Sequence, residues 1–284
     1  MNSFVLSSLR KIMLLSVITL MIESCSKTVY PSAWQDTPVN VDGRLSEWNV
    51  PLPYYDESTR LNYAISNDKK NLYVCIRASN EETQTKMLRA GFTLWIDTTG
   101  KKNKTIGITY PLPQRMLMNH SAYTSNQQQK GESSFDKQKI LSDQKQMLMT
   151  GFKNADNGLS LIGKKDGVTV AVNYDSAGVM TYEASIPFST FRDADFSNAD
   201  AIKTWSVGLE EKGLEQGQGK GNHGGGGGGG GMGGGGMGGG RGGMRGGGGR
   251  GGRGGGGGGN RSQGENSSLT EPAEVWNYIK LSSK

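Results

Sequence analysis

With only two cysteines and two histidines in 284 residues, the sequence lacks the material for several kinds of chemistry. A disulfide framework and a Cys/His zinc site are both excluded. His120 lies in a polar stretch and His223 at the edge of a glycine run, and neither has the sequence context of a serine or cysteine nucleophile. Long apolar runs are also missing. The longest, Ile12–Ile22, would span about 16 Å as a helix, against about 30 Å of bilayer hydrocarbon. Acids are absent from Gly217 to Gly264, where Lys220, Arg241, Arg245, Arg250, Arg253 and Arg261 account for the whole net charge of +6. The rest of the chain is therefore neutral and carries no compositional sign of a basic binding face. Aromatics are missing from the same run, which removes the base-stacking partners of a nucleic-acid arm.

What is present begins with an address. Arg10 and Lys11 precede the apolar run, as in a secretory signal. The run ends Ile22-Glu23-Ser24-Cys25, which resembles a bacterial lipobox, with Glu23 in place of the usual small or apolar residue. Residues 1–24 are read as a signal peptide and Cys25 as the lipidated residue, with 26–38 as a tether. Cys75 sits in the apolar segment LYVCIRA, where cysteine behaves as a small hydrophobe; a bond to Cys25 is the competing reading.

Residues 39–284 read as one domain. VNVDGRLSEW suggests a short strand and a turn at Asp42-Gly43. RLNYAISND and KKNLYVCIRASN alternate as a hairpin, with Leu61, Tyr63 and Ile65 and then Leu72, Val74 and Ile76 inward. FTLWIDTTG puts Phe92, Leu94 and Ile96 inward, and KTIGITYP follows. The 112–150 stretch is expected to be an insert of loop plus helix, the helix lying within SFDKQKILSDQKQMLMTGF. LSLIG, GVTVAVNYD, GVMTYEASIPF and IKTWSVGLEE are further strands, and EVWNYIKL closes the chain after a 217–264 loop too rich in glycine to hold a core. The expected fold is all-β: an antiparallel β-sandwich of about nine or ten strands, with one or two inserted helices and a long disordered Gly-rich loop.

The pieces VNVDGRLSEW, NLYVCIRAS, FTLWIDTTG and, later, YEASIPF resemble the family 9 carbohydrate-binding modules over roughly residues 38–110 and 168–284. That resemblance implies a β-sandwich that holds sugars without catalysis, in some members with a structural calcium. Members with known sugar binding hold a terminal sugar between two tryptophans, a pair not matched here to definite positions.

Strand parity then selects candidates. A sugar needs flat aromatic faces and planar polar groups. Opposite the inward residues lie Tyr73, Arg77, Trp95, Asp97, Trp276 and Tyr278, an aromatic platform bearing Arg and Asp. The competing reading packs them beneath the inserts. Asp42 and Asp97 are oxygen donors of the kind calcium takes, with turn stabilisation as the alternative. Glu81-Glu82 and Glu210-Glu211 do not make a hydrolase pair, because neighbours in a strand point to opposite faces. The reading is a non-catalytic, glycan-binding lipoprotein with no cofactor beyond a structural calcium. It would be anchored through Cys25 in the outer membrane, facing the periplasm. Its partner would be a glycan or an envelope protein, and its alternatives are a structural or scaffold envelope domain without a small ligand, and a polyanion or nucleic-acid binder acting through the Arg-Gly loop.

Overall fold

The structure, a computed structural model, describes residues 27–121, 136–164, 167–193, 196–215 and 268–284. Thirteen strands in the described residues form two stacked sheets, the expected β-sandwich. The larger sheet has seven strands in the order β1 (Val29–Pro31), β13 (Ala273–Lys280), β12 (Thr204–Glu211), β6 (Phe92–Asp97), β7 (Ile106–Thr109), β8 (Gln146–Thr150) and β9 (Gly158–Leu161). The smaller runs β10 (Thr169–Tyr174), β11 (Met180–Pro187), β5 (Asn71–Ala78), β4 (Leu61–Asn67) and β2 (Ala33–Trp34), with β3 (Tyr54–Asp56) also on β4. The pairing is antiparallel except where β1 meets β13 and β2 meets β4 in parallel.

One core lies between the sheets. Leu72, Val74 and Ile76 from the smaller sheet face Phe92, Leu94 and Ile96 from the larger, all essentially without exposure. Burying each such side chain is worth about 1.5–3 kcal/mol. Aromatic edges close one end, with Phe188 and Trp205 at 5.9 Å and Phe191 and Trp205 at 6.1 Å between ring centroids. The β4–β5 turn is set by Asp68, whose Oδ1 accepts from the Lys70 and Asn71 amides at 2.6 Å each.

Several expectations are corrected. VNVDGRLSEW forms turns and bends rather than a strand. Two short strands, β1 and β2, lie inside the 26–38 segment read as a tether. The helix expected through residue 148 stops at Asp143, and Gln146–Thr150 is a strand. Met147 and Met149 alternate into the core, while Gln144 Oε1 accepts from the Leu112 amide at 2.6 Å. Burying an unpaired backbone N–H is costly, and this bond holds the chain extended where helical spacing alone would carry it on.

Consecutive strands β5 and β6 belong to different sheets. The helix Glu81–Arg89 (α1) carries the chain between them, capped by Asn80 Oδ1, which accepts from the Thr83 amide at 3.0 Å.

Candidate functional site

The outer face of the larger sheet collects aromatics in register. Along β12, Trp205, Val207 and Leu209 point into the core, so Ser206, Gly208 and Glu210 point outward. Gly208 is flanked by Trp95 of β6 on one side and Trp276 of β13 on the other. The next row outward is Asp97–Ser206–Tyr278, and the row on the other side is Thr93–Glu210–Glu274. A second glycine, Gly107 of β7, lies opposite Trp95. Each glycine makes room for an indole. A Cβ on Gly208 would lie 2.8–2.9 Å from Trp276 ring atoms, and one on Gly107 would lie 2.4–3.0 Å from Trp95 ring atoms. The two half-buried indoles therefore lie over bare backbone, two strand spacings or about 10 Å apart.

Both indole N–H groups donate to carboxylates in the adjoining row: Trp95 Nε1 to Glu210 Oε2 at 2.5 Å, and Trp276 Nε1 to Glu274 Oε1. Lys104 Nζ bridges the two acids, 3.1 Å from Glu210 and 2.6 Å from Glu274, and lies 5.9 Å from the Trp95 ring centroid. Partial burial pulls the Lys104 ammonium down, but Glu274 and Glu210 outweigh it and hold its pKa above the ordinary value.

Asp97, expected as a ligand, is 1% exposed and serves the turn that follows it. Its Oδ1 accepts from the Thr99 amide and hydroxyl, and its Oδ2 from the Lys101 and Asn103 amides at 2.9 Å each. Burial pushes its carboxyl up, and the bonds from Thr99, Asn103 and Lys101 more than offset this, leaving its pKa below the ordinary value. That turn places Lys102 with its Nζ 4.6 Å from the Tyr278 ring centroid, where Lys27 Nζ approaches to 4.9 Å.

The six candidates therefore divide. Trp95, Trp276 and Tyr278 share one outer face, with Asp97 beneath it as a positioning group. Tyr73 and Arg77 belong to the outer face of the other sheet, on the opposite side of the sandwich. Tyr73 is 1% exposed under Val39, Trp48 and Leu52, and its hydroxyl donates to Asp68 Oδ2 at 2.7 Å. Arg77 pairs with Asp175 at 2.6 Å. Cys75, buried beside Tyr73, is a small hydrophobe whose thiol burial pushes up. Asp42 Oδ1 accepts from the Arg44 amide within its own turn. No group of three or more His, Cys, Asp or Glu among the described residues is placed to hold a metal ion. Cys25 and His223 lie outside the described residues.

Sequence reasoning missed Lys27, Lys102, Lys104, Gly107, Gly208 and the outward Glu210–Glu274 pair. The available signal was a glycine in the middle of each of two strands, which marks close approach of another group.

The most specific sequence motifs meet elsewhere. Glu183 of YEASIPF, fully buried, accepts from the Asp42 and Gly43 amides at 3.0 and 2.7 Å and from Trp48 Nε1 at 2.6 Å. Gly43 has φ +77°, and a Cβ there would strike Asn173 at 2.6 Å. Burial raises the Glu183 pKa, partly offset by these three donors. VDG…EW and YEASIPF are thus two halves of one clamp that fastens residues 39–52 over the smaller sheet.

No family model and no curated protein matches the chain. Among solved structures it is similar to a carbohydrate binding module family 9 from Caldicellulosiruptor kristjanssonii in complex with glucose. The identity is 12%, the match covers 65% of this chain and 77% of that one, and the TM-score is 0.29. A structure of a carbohydrate binding module family 9 from the same organism in complex with cellotriose matches at 11% identity over 64% and 76%, with TM-score 0.29.

Proposed function

We propose that this chain is a non-catalytic glycan-binding lipoprotein of the bacterial envelope, and that the glycan lies on the Trp95–Trp276 face. The observation that supports this reading is the seating of two indoles over Gly107 and Gly208 in one register row. Such rings offer flat apolar surface to the C–H faces of a sugar, while Glu210, Glu274 and Lys104 supply a hydrogen-bonding rim. A glycan array is the test. Trp95→Ala and Trp276→Ala should each weaken binding to a captured oligosaccharide by about tenfold or more. Binding indifferent to both changes would refute the assignment.

Anchoring through Cys25 belongs to the same proposal, with the domain on the periplasmic side of the outer membrane. Mass spectrometry of the mature N-terminus should find diacylglyceryl-modified Cys25, and Cys25→Ala should release the chain in soluble form. One observation favours a structural envelope domain instead: both indole N–H groups are already satisfied by the sheet's own carboxylates. A chain that binds no glycan yet is retained by an envelope protein through this face would carry that second reading.

A further inference from the structure

The two ends of the aromatic face differ in charge. At the tryptophan end Lys104 is neutralised by Glu210 and Glu274. At the tyrosine end two ammonium groups, from Lys27 and Lys102, stand over the Tyr278 ring, and Lys280 follows on the same side of β13. Among the described residues none of these three lysines forms an ion pair. Cation–π attraction holds an ammonium against a ring without discharging it.

The turn that delivers Lys102 has a built character. Lys102 has φ +62°, a left-handed conformation that a side chain adopts at a cost. The conformation is fixed from three sides: Asp97 accepts from the amides of Lys101 and Asn103, and Ser206 Oγ accepts from the Lys102 amide at 3.1 Å. Ser206 sits in register between Asp97 and Tyr278, so the residue beside the tyrosine on β12 also braces the lysine above it. Tyr278 lies two residues along the strand from Trp276, roughly 7 Å away, within reach of the next ring of a bound oligosaccharide.

We infer that the Tyr278 corner is a subsite for an acidic sugar, a uronate seated beside Tyr278 whose carboxylate meets Lys27 and Lys102. The inference rests on the glycan reading above and names the substrate class of that site: a glycan pairing a neutral residue, on the tryptophans, with a carboxylate-bearing one.

The experiment uses the purified full chain and three probes: a glucuronate-containing tetrasaccharide, the same tetrasaccharide with its carboxyls reduced to alcohols, and phosphatidylglycerol vesicles. The acidic tetrasaccharide should bind about tenfold more tightly than the reduced one, and added salt should narrow that gap. In the Lys27→Gln/Lys102→Gln variant the two affinities should become equal, with thermal unfolding unchanged. Equal affinities in the unmodified chain would overturn the acidic subsite and leave the tryptophan platform standing. Binding of neither tetrasaccharide would overturn both. Vesicle binding that needs the two lysines, with no preference between the tetrasaccharides, would assign the corner to a lipid surface and also overturn the inference.

Discussion

The buried ion pair behind the platform predicts a specific pH signature. Glu211 is the inward neighbour of the outward Glu210 and is fully buried. Lys86 of α1, 8% exposed, places its Nζ 3.0 Å from Glu211 Oε2 and donates to the Glu271 carbonyl at 3.3 Å. Neither Glu211 oxygen has an aligned hydrogen-bond donor among the described residues. Burial pushes the carboxyl from its ordinary 4.5 to about 7; Lys86 and, less strongly, Arg60 oppose this, while Asp56 adds to it. A raised carboxyl pKa means that the folded state holds a proton which the unfolded state has released. The stability contribution is complete below about 4.5 and is lost as pH rises to about 7. At about 1.36 kcal/mol per pH unit, that loss is about 3 kcal/mol.

Lys86→Met removes the cation that keeps the folded pKa as low as it is. The pKa then rises further, and the falling limb extends above pH 7 at about 1.4 kcal/mol per pH unit. Just above pH 7 the variant should therefore go on losing stability where the unmodified protein has levelled off. Below about pH 6 the two curves should run parallel, because Glu211 is then largely protonated in both folded forms. Glu183, whose pKa is also raised, is common to both proteins and cancels in the difference. Urea denaturation at intervals from pH 5 to 9 measures this. A constant offset across the whole range would refute the assignment of Lys86 as the group that controls Glu211.

Three other perturbations test the fold and the face. Gly208→Ala puts a Cβ 2.8–2.9 Å from the Trp276 ring, so the indole must lift; a loss of about 1–2 kcal/mol and a red-shifted tryptophan emission should follow, and an unchanged emission would contradict the seating. Glu183→Gln leaves three donors facing one neutral oxygen and an NH2 group, and should cost about 2 kcal/mol in chemical denaturation at pH 7; a change within about 0.5 kcal/mol would count against the clamp. Replacing residues 217–264 by a short polar linker should keep a cooperative thermal transition, with a gain of up to about 2 kcal/mol from the shorter closure; loss of cooperativity would show the segment to be structurally required.

Parity was legible in the sequence; layer membership was not. Tyr73 and Trp95 both lie opposite an inward apolar triplet, and the structure keeps both parities. Alternation within a strand reports which residues share a side, but not which sheet the strand joins. The chain changes layers between β5 and β6 by way of α1, so side chains of equal parity end on opposite surfaces of the sandwich. The shortest strands were hidden for a related reason. β1 spans only Val29–Pro31 and pairs with residues about 250 positions away, at Tyr278–Lys280. Three residues carry no period, and their partner is chosen by tertiary closure, seen in the Ser32 amide donating to the Lys280 carbonyl at 2.8 Å. Apolar residues at 140, 141, 147 and 148 suit both helical and strand periods, and only the burial of Met147 and Met149 decides between them.

The position of the glycine-rich run bears on how its charge is to be read. It connects β12 to β13, which are antiparallel neighbours, and the described chain closes its base where the Leu214 amide donates to the Leu269 carbonyl at 2.8 Å. β13 is no appendage: Ile279 is 1% exposed, and Asn277 Oδ1 accepts from the Tyr63 hydroxyl at 2.6 Å, joining the two sheets. The connection therefore leaves and re-enters at the end of the sheet that carries Glu210, Glu211 and Glu274. Tyr278 lies four residues beyond Glu274 along β13, roughly 14 Å away. The six basic residues of the run and the lysine corner are thus separate positive features of the chain. Salt sensitivity that persists after the run is replaced by a linker would belong to the corner, and sensitivity that disappears with the run would not.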